Sequence, residues 1–211
     1  MTRKTEPPKE EMGMKKPDYM TLKIVLRGTD ISRTIVVPGG ITLSKLSDVI
    51  MGVFGWCEEH LWEFQADRDL VYAEPSEYDD ECAGFCERRD SGKTTVAKVL
   101  PVRGAKLLYT YDMGDGWEHQ ITRMADPKEP GIRCIKTSGT YGIDDIGGCW
   151  GLMDFTEKLK EYDANPKAFE NDDFMGLLEW SGLDNEEARK EFLAGPTIEE
   201  LTKTLEMDLG Q

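Results

Sequence analysis

The sequence predicts an α+β fold: an antiparallel or mixed central sheet, opened in β-grasp-like fashion by a hairpin and a helix and followed by a C-terminal helical segment. Three observations predict it. Tyr19–Arg27 and Ile31–Val37 alternate apolar and polar residues around a Gly28-Thr29-Asp30 turn and lead into an amphipathic helical pattern. Midway along the chain, Ala105–Tyr111 and Trp117–Thr122 flank Asp112-Met113-Gly114-Asp115-Gly116, a run of residues that tolerate left-handed backbone angles, so the two arms read as a second hairpin. From Cys149 onward the apolar spacing becomes helical.

Each element has a local reason. Residues 1–18 are polar, with Pro7, Pro8 and Pro17, and read as a disordered tail. Pro38-Gly39-Gly40 ends the first hairpin. Thr42 can cap a helix bearing Leu43, Leu46, Val49, Ile50 and Val53 on one face, which stops near Gly55. A hairpin followed by a helix is also how β-grasp domains begin, a likeness of architecture that carries no function. His60–Ala66 and Asp69–Ala73 form a further strand pair, and the acidic stretch Glu74–Gly92 reads as an exposed loop. Gly131–Lys136 suits an edge strand, and Thr137–Gly148 is a glycine-rich loop carrying Asp144 and Asp145. In the helical segment, Trp150, Met153, Leu159 and Tyr162 fit one buried face, with Phe155 off it. Asp184-Asn-Glu-Glu187 and Thr197-Ile-Glu-Glu200 look like capping boxes. The resulting organisation is a tail (1–18), an α+β core domain (19–148) and an acidic helical segment packed on it (149–211).

The 211 residues are enough for one domain with its own core. The formal net charge of −15 argues against a general nucleic-acid binder, because such binding rests on neutralising phosphates. It favours solubility or a basic partner. No apolar run reaches the length of a membrane span, and the first 18 residues lack the apolar core of a secretory signal, so the expected location is the cytoplasm. Five cysteines without a small-scaffold pattern do not suggest a disulfide framework.

Candidate chemistry centres on Tyr109–His119. The turn brings Asp112 and Asp115 near His119, one of two histidines in the chain. The other, His60, opens a strand. If those strands are neighbours, His60, His119 and Asp112 form a two-histidine, one-carboxylate set suited to a divalent metal, the one cofactor the residues suggest. His119, Asp112, Asp115 and Asp145 are then the candidates for acid–base work. A second metal reading pairs Cys57-x2-His60 with Cys82-x3-Cys86. For binding, the candidates are Tyr111, Asp115, Trp117, Asp144 and Asp145, in a mouth made by the central turn and the Thr137–Gly148 loop. Ser91-Gly-Lys-Thr94 is not a phosphate loop: Glu87 stands where the motif needs glycine, and no apolar strand precedes it.

Several motifs resemble one family. Tyr111-Asp-Met-Gly-Asp-Gly-Trp-Glu-His119 resembles the YDFGDGWEH signature of the plasmid pRiA ORF-three-like family, whose members are sometimes labelled TnpR resolvase. Leu43-Ser-Lys-Leu46 with Ile50, Gly55-Trp56-x3-His60-Leu61-x2-Phe64 and Ile143-Asp-Asp145-Ile-Gly-Gly148 follow in the family's order, and Arg33 stands where the family has a Trp-Arg pair. Ser32, Ser47 and Ile146 depart from the family's tryptophan, histidine and cysteine. The resemblance covers roughly Tyr19–Tyr162 and implies a family without an established activity. Recombination would need a serine among clustered arginines and a basic DNA-reading element, and the arginines here are scattered. The leading expectation is a non-catalytic binding or interaction protein, associated with mobile elements in its relatives, whose partner is a protein or a small ligand. The competing expectation is a metal-dependent, hydrolase-like enzyme using His60, His119 and a nearby aspartate. A DNA resolvase or recombination accessory is the third.

Overall fold

The computed structural model describes residues 18–76, 86–169 and 173–210. Alternating burial organises it. In β1 (Tyr19–Leu26), Met20, Leu22, Ile24 and Leu26 all point inward, and β2 (Ser32–Pro38) returns antiparallel with Ile35 and Val37 on the same face. Thr42 then caps α1 (Leu43–Phe54), and Gly55, at φ 83°, ends it. The fully buried Leu43, Leu46, Val49, Ile50 and Val53 of α1 join the hairpin's apolar face in one cluster.

The remaining strands are β3 (Trp62–Asp67), β4 (Leu70–Ala73), β5 (Glu87–Asp90), β6 (Lys106–Tyr111), β7 (Trp117–Arg123) and β8 (Arg133–Ser138). They form one eight-stranded sheet in the order β5-β4-β3-β6-β7-β1-β2-β8. Only the β4–β5 pairing is parallel, so the sheet is mixed. The central hairpin β6–β7 bridges the two halves, in a register that sets Tyr109 opposite His119 and Tyr111 opposite Trp117. Residues 87–90, expected within an exposed loop, are instead strand β5. Its Glu-Arg-Arg-Asp sequence has no apolar pattern, and backbone pairing with the edge of β4 supplies the structure. The short α2 (Val96–Val99) lies beside the start of α1, where Thr42 and Thr95 form an isolated bridge.

Five helical pieces follow β8. In α3 (Gly148–Ala164) the inward face is Leu152, Phe155 and Leu159. Trp150, expected inside, is 78% exposed, and Phe155, expected off the face, is buried. The spacing 152-155-159-162 is the better helical stripe: Leu152 joins the main core, and Phe155, Leu159 and Tyr162 meet Phe174 and Leu178 of α4 (Phe174–Trp180) and the nearby Phe169 and Leu183. Helix α5 (Glu186–Ala194) is capped by Asn185, one residue later than expected. Helix α6 (Ile198–Asp208), opened by the Thr197–Glu200 capping box, leaves this cluster and buries Leu201 and Leu205 in the main core. It packs on α1 and β8, where Thr202 Oγ1 accepts the Cys134 amide at 3.1 Å.

Arg33 fastens several of these pieces together. Although fully buried, it meets no carboxylate among the described residues. Its guanidinium donates to the carbonyls of Val53 (2.9 Å), Ser32 (3.1 Å), Ser138 (2.6 Å) and Thr140 (2.6 Å) and lies over the Phe54 ring. The Val53 carbonyl belongs to the last turn of α1, which has no helical donor and sits at the negative end of the helix dipole. Burial lowers the Arg33 pKa to about 10.

Candidate functional site

The central turn is built as its residue types dictate. Asp112 adopts φ 54° and Gly116 φ 68°, the Asp112 side chain accepts the Gly114 amide at 2.8 Å, and Gly116 N donates to the Asp112 carbonyl at 2.7 Å. Two other loops are tied to it. The Asp112 amide donates to the Leu61 carbonyl at 2.9 Å, and Asp115 Oδ2 accepts the Gly147 amide at 3.1 Å. A third tie joins those two loops to each other, since Asp144 Oδ2 accepts the Cys57 amide at 2.9 Å. Gly148, at φ 69°, lies so close to the turn that a Cβ there would meet the Asp115 carbonyl oxygen at 2.6 Å.

His60 sits where the three loops converge. Its Nδ1 is 3.9 Å from Asp112 Oδ1, its Nε2 is 3.5 Å from Asp145 Oδ1, and its ring stands edge-on to Tyr111. A His60 nitrogen, Cys57 Sγ and an Asp144 carboxylate oxygen lie within 4.8 Å of one another, and His60, Asp112 and Asp145 form a second such group. Two of these atoms, His60 Nε2 and Asp144 Oδ1, are buried and have no hydrogen-bond partner among the described residues. The only three non-glycine residues with left-handed φ among the described residues also belong to these loops: Glu58 (64°), Asp112 (54°) and Asp145 (54°). Beside His60 opens a cleft of about 550 Å³ whose lining includes Glu58, Glu59, Glu74, the exposed Leu61 and Met113, and the Arg88–Glu63 pair.

His119 is elsewhere. It lies on the inward face of β7 with Trp117 and Ile121, fully buried. Its Nε2 accepts from Trp56 Nε1 at 3.2 Å, so Nδ1 carries the proton and donates to the Trp117 carbonyl at 3.0 Å. Burial holds its pKa down to about 3. Both ring nitrogens are in use, so this neutral imidazole has no lone pair for a metal and no free site for acid–base work. The expected His60, His119 and Asp112 set is therefore reduced to His60 and Asp112.

Tyr111 and Trp117 are also buried against Trp56, Tyr111 stacked with ring centres 5.5 Å apart and Trp117 tilted at 4.6 Å. They form the floor behind the mouth and do not line it, although the Tyr111 hydroxyl, whose pKa burial raises, reaches Cys57 Sγ at 3.8 Å. Of the sequence candidates, the structure brings His60, Asp112, Asp144 and Asp145 together and uses Asp115 as a tie. It adds Cys57. The Cys57-x2-His60 spacing pointed to that residue, but with Cys82 and Cys86 as partners. Cys82 lies outside the described residues, and Cys86 joins neither group.

Comparison with known proteins agrees with this architecture. A protein of unknown function, MM3350 from Methanosarcina mazei Go1, has a crystal structure similar to this fold with a TM-score of 0.61. It is 22% identical, over 80% of this chain and 91% of that one. The uncharacterized protein y4hQ of Sinorhizobium fredii is 33% identical over 169 residues, 76% of this chain and 79% of its own. Residues 18–190 match the family described as plasmid pRiA4b ORF-3-like protein. With its signature stretch forming the central turn and the family match spanning sheet and site alike, the chain belongs to the plasmid pRiA4b ORF-3-like family.

Proposed function

We propose that this chain is a non-catalytic binding protein of the cytoplasm, with the mobile-element association that its family's plasmid description suggests, and that it takes a basic segment of a protein partner in the mouth beside His60. One observation carries the reading. Three strained residues, Glu58, Asp112 and Asp145, lie on three separate loops that are hydrogen-bonded to one another. Backbone strain of this kind costs on the order of 1 kcal/mol per residue and persists where a site needs a fixed geometry. The adjoining cleft supports a basic partner, because Glu58, Glu59 and Glu74 line it beside Leu61 and Met113, 80% and 51% exposed, while its one lining arginine, Arg88, is paired with Glu63 at 3.6 Å. Carboxylates around an apolar anchor point suit a Lys- or Arg-containing peptide with one large apolar side chain.

The test is binding of the full chain to an array of basic peptides, followed in solution by fluorescence anisotropy. The reading expects affinity that falls as salt rises and that is lost in Glu59→Gln/Glu74→Gln, while the urea midpoint stays in place. Peptide binding indifferent to both salt and these substitutions counts against it. The competing hydrolase reading is weakened by the loss of His119, one of the two histidine ligands it would have used.

A further inference from the structure

We propose that the mouth is a transition-metal site of the zinc class, with Cys57 Sγ, His60 Nε2 and Asp144 Oδ1 as ligands and the fourth position left for water or a bound partner. The proposal names a ligand for the mouth already described and rests on its reading as a binding site. The donors are already close together. Zinc bonds to sulfur, nitrogen and oxygen run about 2.0–2.3 Å, which makes the edges of the tetrahedron roughly 3.5 Å. The Cys57, His60 and Asp144 donors lie within 4.8 Å of one another, so a bound ion would draw them only slightly together.

The atoms are also in the right state. Asp144 Oδ2 is held by the Cys57 amide, which leaves Oδ1 buried without a partner. His60 Nδ1 lies 3.9 Å from Asp112 Oδ1, whose carboxylate is fixed by the Gly114 amide, and Nε2, 3.5 Å from Asp145 Oδ1, makes no hydrogen bond among the described residues. A carboxylate on one imidazole nitrogen is how metal-binding histidines are oriented toward a cation on the other. Two buried polar atoms without a hydrogen bond and a nearby thiol make a donor set that such a cation would satisfy. A sulfur in the set selects against magnesium and calcium, which prefer oxygen, and for zinc or cobalt. Binding replaces the Cys57 S–H bond with a sulfur–metal bond and releases the proton to solvent.

Cobalt(II) titration of the chelator-stripped full chain reads this out directly. The expected result is equimolar cobalt with a thiolate-to-cobalt charge-transfer band, retained in Cys149→Ser and absent in Cys57→Ser. The same titration should show affinity weakened about tenfold or more in His60→Ala and Asp144→Asn. No band in the full chain, a band that survives Cys57→Ser, or unchanged affinity in His60→Ala would each overturn the proposal. Cys57 is exposed, so its serine variant reports on the site even if His60→Ala proves poorly folded. Peptide binding measured on the same samples separates the two readings. Peptide binding without cobalt overturns the metal and leaves the mouth, and cobalt binding without peptide binding does the reverse.

Discussion

Arg33→Lys should be among the most damaging conservative substitutions in this protein. The guanidinium serves four carbonyls, from Ser32, Val53, Ser138 and Thr140, at 2.6–3.1 Å. A lysine ammonium is a single point with three donors and cannot span a set laid out for a planar fork. At least two charge-assisted bonds to buried carbonyls are lost, each worth about 1.5–3 kcal/mol, so a net loss of roughly 3–5 kcal/mol is expected. That is a large share of the ~5–15 kcal/mol that holds a typical domain folded. Urea unfolding of the full chain, with equal m-values for both proteins, measures it. Arg33→Met is the companion variant. If the cost of burying the charge outweighed its bonds, the methionine protein would be as stable as the wild type or more so. Because the Val53, Ser138 and Thr140 carbonyls would be left without a donor, it should be less stable. A loss under about 1 kcal/mol for lysine, typical of an unremarkable surface change, or a stabilised methionine variant, would refute the reasoning.

Two further outcomes follow from the buried face of the central hairpin. His119, held neutral with a pKa near 3 against 6.5 for the free side chain, binds its proton more readily in the unfolded chain. Its stabilising effect is complete above pH 6.5 and is lost as pH falls toward 3, at up to about 1.4 kcal/mol per pH unit. The slope of stability against pH between 6 and about 4 should therefore be shallower in His119→Asn than in the wild type, and equal slopes would show that the imidazole is not buried neutral. Gly142→Ala would place a Cβ 2.2 Å from the Trp56 ring, which is packed against Tyr111, Trp117 and His119. A loss of about 1–3 kcal/mol with a changed near-ultraviolet dichroism is expected, and an unperturbed aromatic signal would refute it.

Much of the architecture was legible because it rests on local rules. The first hairpin, α1 with its Thr42 and Gly55 caps, the five-residue central turn and the Thr197 capping box each follow from neighbouring residues. Strand β5 was not legible, since Glu87–Asp90 is a strand only because β4 offers an unpaired edge. The phase of α3 was misread because Trp150 and Met153 look like core residues, whereas the packing partners Phe174 and Leu178 select the stripe through Phe155. At the site, alternation was the better guide than residue chemistry. His119 shares its parity with Trp117 and Ile121 and so faces inward, however suggestive its place beside two aspartates. The meeting of Cys57 with Asp144 had no local signal, since it depends on two loops 87 residues apart in sequence.

The position of α6 bears on how the chain acquires its fold during synthesis. The helix emerges after every strand, yet it packs on α1 and β8 and places Leu201 and Leu205 in the main core. Similarly, β1 has a partner on one side at once, in β2, but waits for β7 on the other. While the ribosome is still translating the middle of the chain, the first hairpin and α1 therefore carry uncovered apolar faces and an open strand edge. The core closes only once residues 198–208 are available, so a ribosome stalled before them would hold a chain rich in local structure but with an unsealed core. Such a nascent chain is a natural client for chaperones that recognise exposed apolar strands.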